Sequence, residues 1–161
     1  MPFYYDVNRA TTTNATPGTE TNHYRIVTVA NQEAARITGL YAAGRFGTAG
    51  GAQLRLKTNS GTAASGGTTQ TPFARNIRGA VAAQTTFFND ATAITSGTTL
   101  TVRLTVGFAQ TGGMGGWVAI EPSAAVQMMA NATSPINAEV ASVATTASVT
   151  FDATLEFAEG A

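Results

Sequence analysis

The chain has one histidine, His23, and that fact limits what it can do. A serine activated by imidazole, or a metal held by histidine, has to pass through this residue. His23 stands at the start of a predicted strand beside a polar N-terminal stretch, so it reads as a surface or interface histidine. Asp152 and Glu156 lie four residues apart in the last apolar-alternating segment, on its outward face, with Thr154 between them. Two carboxylates at such spacing serve as general acid and base only inside a pocket that drives their pKa values apart. On an outward strand face they read as solvated. Asp6, Glu20, Glu33 and Asp90 are isolated, and no Asp-x-Asp-x-Asp-Gly loop offers a calcium site. The absence of cysteine removes disulfides, thiolate zinc sites and cysteine nucleophiles. No catalytic residue, cofactor or metal is expected.

Two glycine-rich stretches, Gly47 to Gly51 and Gly112 to Gly116, carry no Gly-Lys-Ser/Thr and open no helix, so they read as tight turns rather than phosphate loops. Arg75 and Arg78 follow a loop, and Arg55 and Lys57 share one strand face, which allows a small basic patch. The nine basic and nine acidic residues cancel, so no long-range field recruits nucleic acid or an anionic membrane. Lys57 is the only lysine beside eight arginines. Arginine is favoured over lysine at protein interfaces, although an arginine-rich codon bias gives the same count. Trp117 heads an apolar strand and reads as core. Phe3, Tyr4 and Tyr5 have nothing beside them in sequence to bury them and read as partner anchors. Asn14-Ala15-Thr16 and Asn131-Ala132-Thr133 fit the glycosylation pattern, which arises by chance in a chain rich in Asn and Thr.

The elements that must carry these residues are strands. Charged residues make up 11% of the chain while hydrophobic ones make up 43%, so the surface is built from Thr, Ser, Asn, Gln, Ala and Gly. Threonine suits the exposed face of a strand better than a helix surface. Strict alternation marks Leu100 to Phe108 and Val149 to Phe157, and a shorter one marks Gln53 to Lys57. Weaker strands are predicted over 23–29, 37–44 and 117–120, and Val140 and Val143 lead through 144–147 into the last alternating segment, which reads as a closing meander or hairpin. Residues 58–72 read as a Thr/Gly/Ser/Ala loop closed by Pro72. The segment 75–97 reads as a strand plus an irregular crossing, and 123–130 as a strand or one helical turn. The expected architecture is an all-β antiparallel sandwich, a jelly roll, with an extended N-terminal arm over 1–22 and one domain over 23–161. The N-terminus shows neither a secretory signal nor a membrane span.

The C-terminal half, from Thr98 to Phe108, through Gln110-Thr111-Gly112-Gly113-Met114-Gly115-Gly116-Trp117-Val118-Ala119-Ile120-Glu121-Pro122, to Ala138 to Glu159, resembles small jelly-roll proteins that decorate or cement the heads of tailed bacteriophages. The pattern covers roughly the last two-thirds of the chain and carries no catalytic signature. The resemblance implies a homotrimer on the outer surface of an HK97-like capsid, gripping the major capsid protein and binding neither nucleic acid nor membrane. Phe3, Tyr4, Tyr5, Arg9, Arg75 and Arg78 are the expected partner-binding residues, with the arm as tether. A rival reading keeps the fold and makes it a head fibre, tail tip or receptor-binding module, with Tyr41 or Trp117 as a platform for host glycans. A hydrolase on a cupin-like scaffold would need more histidines than His23.

Overall fold

The computed structural model describes residues 3–28, 35–45, 49–75, 81–109, 111–120, 125–128, 137–145 and 147–160. These residues form strands and no helix, so none of them builds a helix able to cross a bilayer. The strands are β1 (Phe3–Asn14), β2 (Glu20–Val27), β3 (Ala35–Gly44), β4 (Gly51–Asn59), β5 (Ser65–Gln70) and β6 (Phe73–Ala74). They continue as β7 (Thr86–Thr95), β8 (Leu100–Ala109), β9 (Met114–Val118), β10 (Val126–Met128), β11 (Asn137–Ala144) and β12 (Val149–Glu159). Two antiparallel sheets result. The first runs β10-β3-β12-β1-β6, with β9 also on β3, and the second runs β5-β7-β2-β11-β4-β8.

Alternation explains the central strands. Val149, Phe151, Ala153, Leu155 and Phe157 of β12 are buried, while Thr150, Asp152, Thr154 and Glu156 face outward. Phe157 joins the sheets: its ring stacks on Tyr5 of β1 at 5.1 Å and meets Phe87 of β7 at 4.6 Å. Each such aromatic pair adds about 1 kcal/mol beyond the area it buries.

Four expectations change. Residues 3–14 are not a free arm; β1 pairs along β12 from Phe3↔Glu159 to Asn14↔Val149, with a register shift between Arg9 and Thr12. Tyr5 and Val7 are core, because Phe157 and Leu155 lie opposite them. The polar stretch 58–72 contains strand β5, which pairs with β7; backbone bonds to a neighbour make an edge strand without an apolar face. In β8 only Val106 and Phe108 are buried, since the β4–β8 register shifts between Leu56 and Lys57 and leaves Val102 exposed. Ile77, Arg78, Glu33, Val29 and Asn131 lie outside the described residues.

The second glycine stretch also does more than turn. Gly115 and Gly116 belong to β9, and a Cβ on Gly115 would stand 2.0 Å from the Gly107 carbonyl oxygen of β8. The two sheets approach each other here backbone to backbone, which only glycine permits. Gly115→Ala is expected to lower stability by about 2 kcal/mol or more, read as an earlier urea midpoint.

Candidate functional site

His23 is fully buried, not at the surface, and three distant segments converge on its ring. Nδ1 lies 2.7 Å from Asp90 Oδ2 and 2.8 Å from Thr12 Oγ1, while Nε2 lies 2.7 Å from Ser142 Oγ. With a proton on Nδ1 the ring donates to Asp90, while Nε2 faces the Ser142 hydroxyl. Serine, histidine and aspartate thus stand in the order a hydrolytic triad uses. Their spacing of 119 residues between His23 and Ser142 left no trace in sequence.

Access distinguishes this cluster from a working triad. Ser142 and His23 are both at 0% exposure, and Asn14 Nδ2 donates to Ser142 Oγ at 3.1 Å and to its carbonyl at 2.9 Å. The hydroxyl oxygen is therefore held on two sides, and solvent does not reach it. What the cluster does is bind strands: Thr12 and Asn14 belong to β1 in the first sheet, whereas His23, Asp90 and Ser142 belong to β2, β7 and β11 in the second. Phe151 meets the His23 ring edge-on at 5.0 Å and closes it from the core. Asn14, fully buried in this network, is not an available glycosylation acceptor.

Asp90 is the charged end of the network. Burial raises its pKa, but hydrogen bonds from His23, Thr12 and Arg9, and the charge on His23, outweigh burial and lower it from 3.8 to about 2. Arg9, an expected partner-binding residue, lies with Nε 2.6 Å from Asp90 Oδ1. Burial, reinforced by Asp90, holds the nearby Tyr24 phenol well above its usual pKa.

The remaining charges are paired in the same way. Lys57 is buried between Glu20 and Glu139, 3.4 Å from Glu139 Oε2, and Arg55 reaches the same Glu20 at 3.5 Å. Glu139 also accepts from the Gly97 amide at 2.7 Å. The expected basic face of β4 is thus neutralised by carboxylates from β2 and β11. Asp152 is bridged by Arg45 at 2.9 Å, and Glu156 by Arg75, so the two carboxylates of β12 do not act together. Among the described residues no three of His, Asp or Glu gather as a metal site.

On the outer face of the first sheet lies a groove of about 290 Å³. Tyr4, Arg36, Arg75, Val118, Ile120 and Glu156 line it. Two of the expected partner-binding residues, Tyr4 and Arg75, meet there. Tyr5 and Arg9 do not, since Tyr5 is in the core with its hydroxyl donating to the Val81 carbonyl at 2.9 Å. Phe3 is exposed, and Trp117 packs on the core edge, as its place in an apolar strand suggested.

No family model, curated protein or solved structure matches the chain.

The Asp90 network sets an acid limit. The folded pKa of about 2 lies below the unfolded 3.8, so the unfolded chain takes up the proton first. The contribution, about 2 kcal/mol by that shift, is complete above roughly pH 4 and lost as pH falls towards 2. Asp90→Asn is expected to flatten this part of a stability–pH curve measured by urea unfolding. His23→Ala takes one hydrogen bond from each of Asp90, Thr12 and Ser142 and leaves a cavity beside Phe151, and is expected to cost about 3 kcal/mol at neutral pH. A fluorophosphonate that labels accessible nucleophilic serines is expected to leave the native protein unlabelled; labelling at Ser142 would contradict the sealed cluster.

Proposed function

We propose that this chain is a non-enzymatic structural protein of a phage virion, a decoration or cement protein that seats on the outer surface of the capsid and stabilises it across major capsid protein subunits as a homotrimer. The observation that carries the reading is the outer face of the first sheet. It presents Tyr4, Val118 and Ile120 around Arg75, on a rigid four-strand platform of β1, β12, β3 and β9, with Phe73 exposed nearby on β6. Ile120 is 95% exposed, which is costly in a protein that buries nothing against it.

Three features support the reading. The sheets pair in the order a jelly roll requires once β5 to β7 are taken as an insertion and β9 with β10 as one broken strand. The first strand then pairs with the last, the last with the third, and the third with the sixth; the second pairs with the seventh, the seventh with the fourth, and the fourth with the fifth. The serine–histidine–aspartate cluster is spent on joining the sheets, which suits a protein whose task is mechanical. Finally, a cement needs no chemistry beyond adding modest contacts over many copies. Because β1 is a paired strand, any tether in this reading belongs to the sheet face and not to an arm.

The test is to measure the molar mass of the purified protein and then to titrate it onto expanded heads of its phage that lack it. A trimer that saturates the heads and raises their resistance to heat is expected; a monomer that ignores them overturns the reading. Ile120→Asp is expected to weaken head binding by roughly tenfold or more while leaving the unfolding midpoint unchanged, since no internal packing is lost.

A further inference from the structure

We infer that the outer groove of the first sheet is a binding site for a short apolar segment of a protein partner that carries a single carboxylate, received by Arg36. The inference rests on the docking reading above and adds the chemistry of what docks.

The geometry begins with a row across three strands. Ala158 of β12 lies opposite Tyr4 of β1 on one side and opposite Arg36 of β3 on the other. A small residue between two long ones leaves a floor with a wall at each edge. The third wall arises where β10, paired with residues 35–37 of β3, gives way to β9, paired with residues 39–43. At that handover the Ala119 amide donates to the Thr38 carbonyl at 2.8 Å, and Val118 and Ile120 stand along the edge. Backbone polar groups at the rim are thus already engaged, and the side chains offer apolar surface.

Charge then selects the occupant. Arg9, Arg45, Arg55 and Arg75 each face a carboxylate. Arg25 lies over the Phe88 ring at 3.6 Å and donates to the Gly66 carbonyl, and Arg103 donates to Thr58. Among the described residues Arg36 alone has a guanidinium with neither a carboxylate nor a hydrogen-bond acceptor, although it is partly buried in the groove wall. A partly buried, unpaired guanidinium beside apolar walls is completed by one carboxylate, which its planar fork binds through two parallel bonds. Arg75 does not compete, being held by Asp6 at 2.7 Å and by Glu156. Glu156 also lines the groove and shares Arg75 with Asp6, so the site carries no excess of positive charge for a polyanion, and a single carboxylate is favoured over a nucleic-acid backbone. The volume of about 290 Å³ suits a few side chains.

The experiment uses the same heads lacking the protein. Arg36→Glu is expected to weaken binding by about thirtyfold or more, as reversal of a partly buried interfacial pair does, and Arg36→Lys by less. Ala158→Leu raises the floor without altering charge and is expected to weaken binding as well. Both variants are checked for an unchanged unfolding midpoint and molar mass. Native protein that binds heads while Arg36→Glu and Ala158→Leu bind equally well overturns this inference and leaves the docking reading standing. Native protein that ignores heads overturns both. A change in molar mass with Arg36→Glu would show that a second copy of this chain fills the groove, which also overturns it.

Discussion

The imidazole of His23 sits where two sheets must be held at one distance, and much of the arrangement around it follows from satisfying its two nitrogens. A buried polar group left without a partner costs more than most apolar contacts gain. The ring therefore dictates the positions of Asp90, Thr12 and Ser142, and through them the relation of β7, β1 and β11 to β2. Asn14 extends the same demand to the turn after β1, donating also to the Thr19 carbonyl at 3.0 Å. Apolar packing alone would let the sheets slide at modest cost. Hydrogen bonds with fixed directions do not, and register is the quantity they fix.

Buried charge plays a related part on the opposite face of the second sheet. Lys57 and Glu139 are covered where Gly97 closes over the strand pair, and Glu20 adds a second carboxylate. An ion pair withdrawn from water adds little net stability over well-packed apolar residues, yet removing either member is expensive. Its effect is to specify which segment lies across β11. Gly97 has no room for a side chain there, since a Cβ would fall 1.8 Å from Asn59 Nδ2. Charge, glycine and turn are thus mutually constraining, and a chain with only 11% charged residues uses most of them in pairs.

Where inward residues were apolar, the sequence was readable. β12 and the inner half of β4 alternate as a half-buried strand must, and the all-β sandwich followed from them. β1 was hidden because its inward positions beyond Val7 include Thr12 and Asn14, polar residues whose burial depends on bonds to His23 and Ser142 that only the fold brings to them. β5 was hidden because an edge strand is defined by backbone bonds. β8 was half legible, its alternation interrupted by a register shift that no residue type announces. At the groove, the aromatic at Tyr4 and the charge at Arg75 stood out by exposure of type. Arg36 did not, because what distinguishes it is the lack of a neighbour, and neighbours are a property of the fold.

The pairing of β1 with β12 has a temporal meaning. β12 lies between β3 and β1, so β1, joined otherwise only to the two residues of β6, is not built into its sheet until residues 149–159 have been synthesised. Loop closure over nearly the whole described chain must precede the contacts that reward it, which makes such folding slow. Until then Tyr5 waits without the Phe157 ring it stacks on, and its apolar surface is open to whatever it meets first.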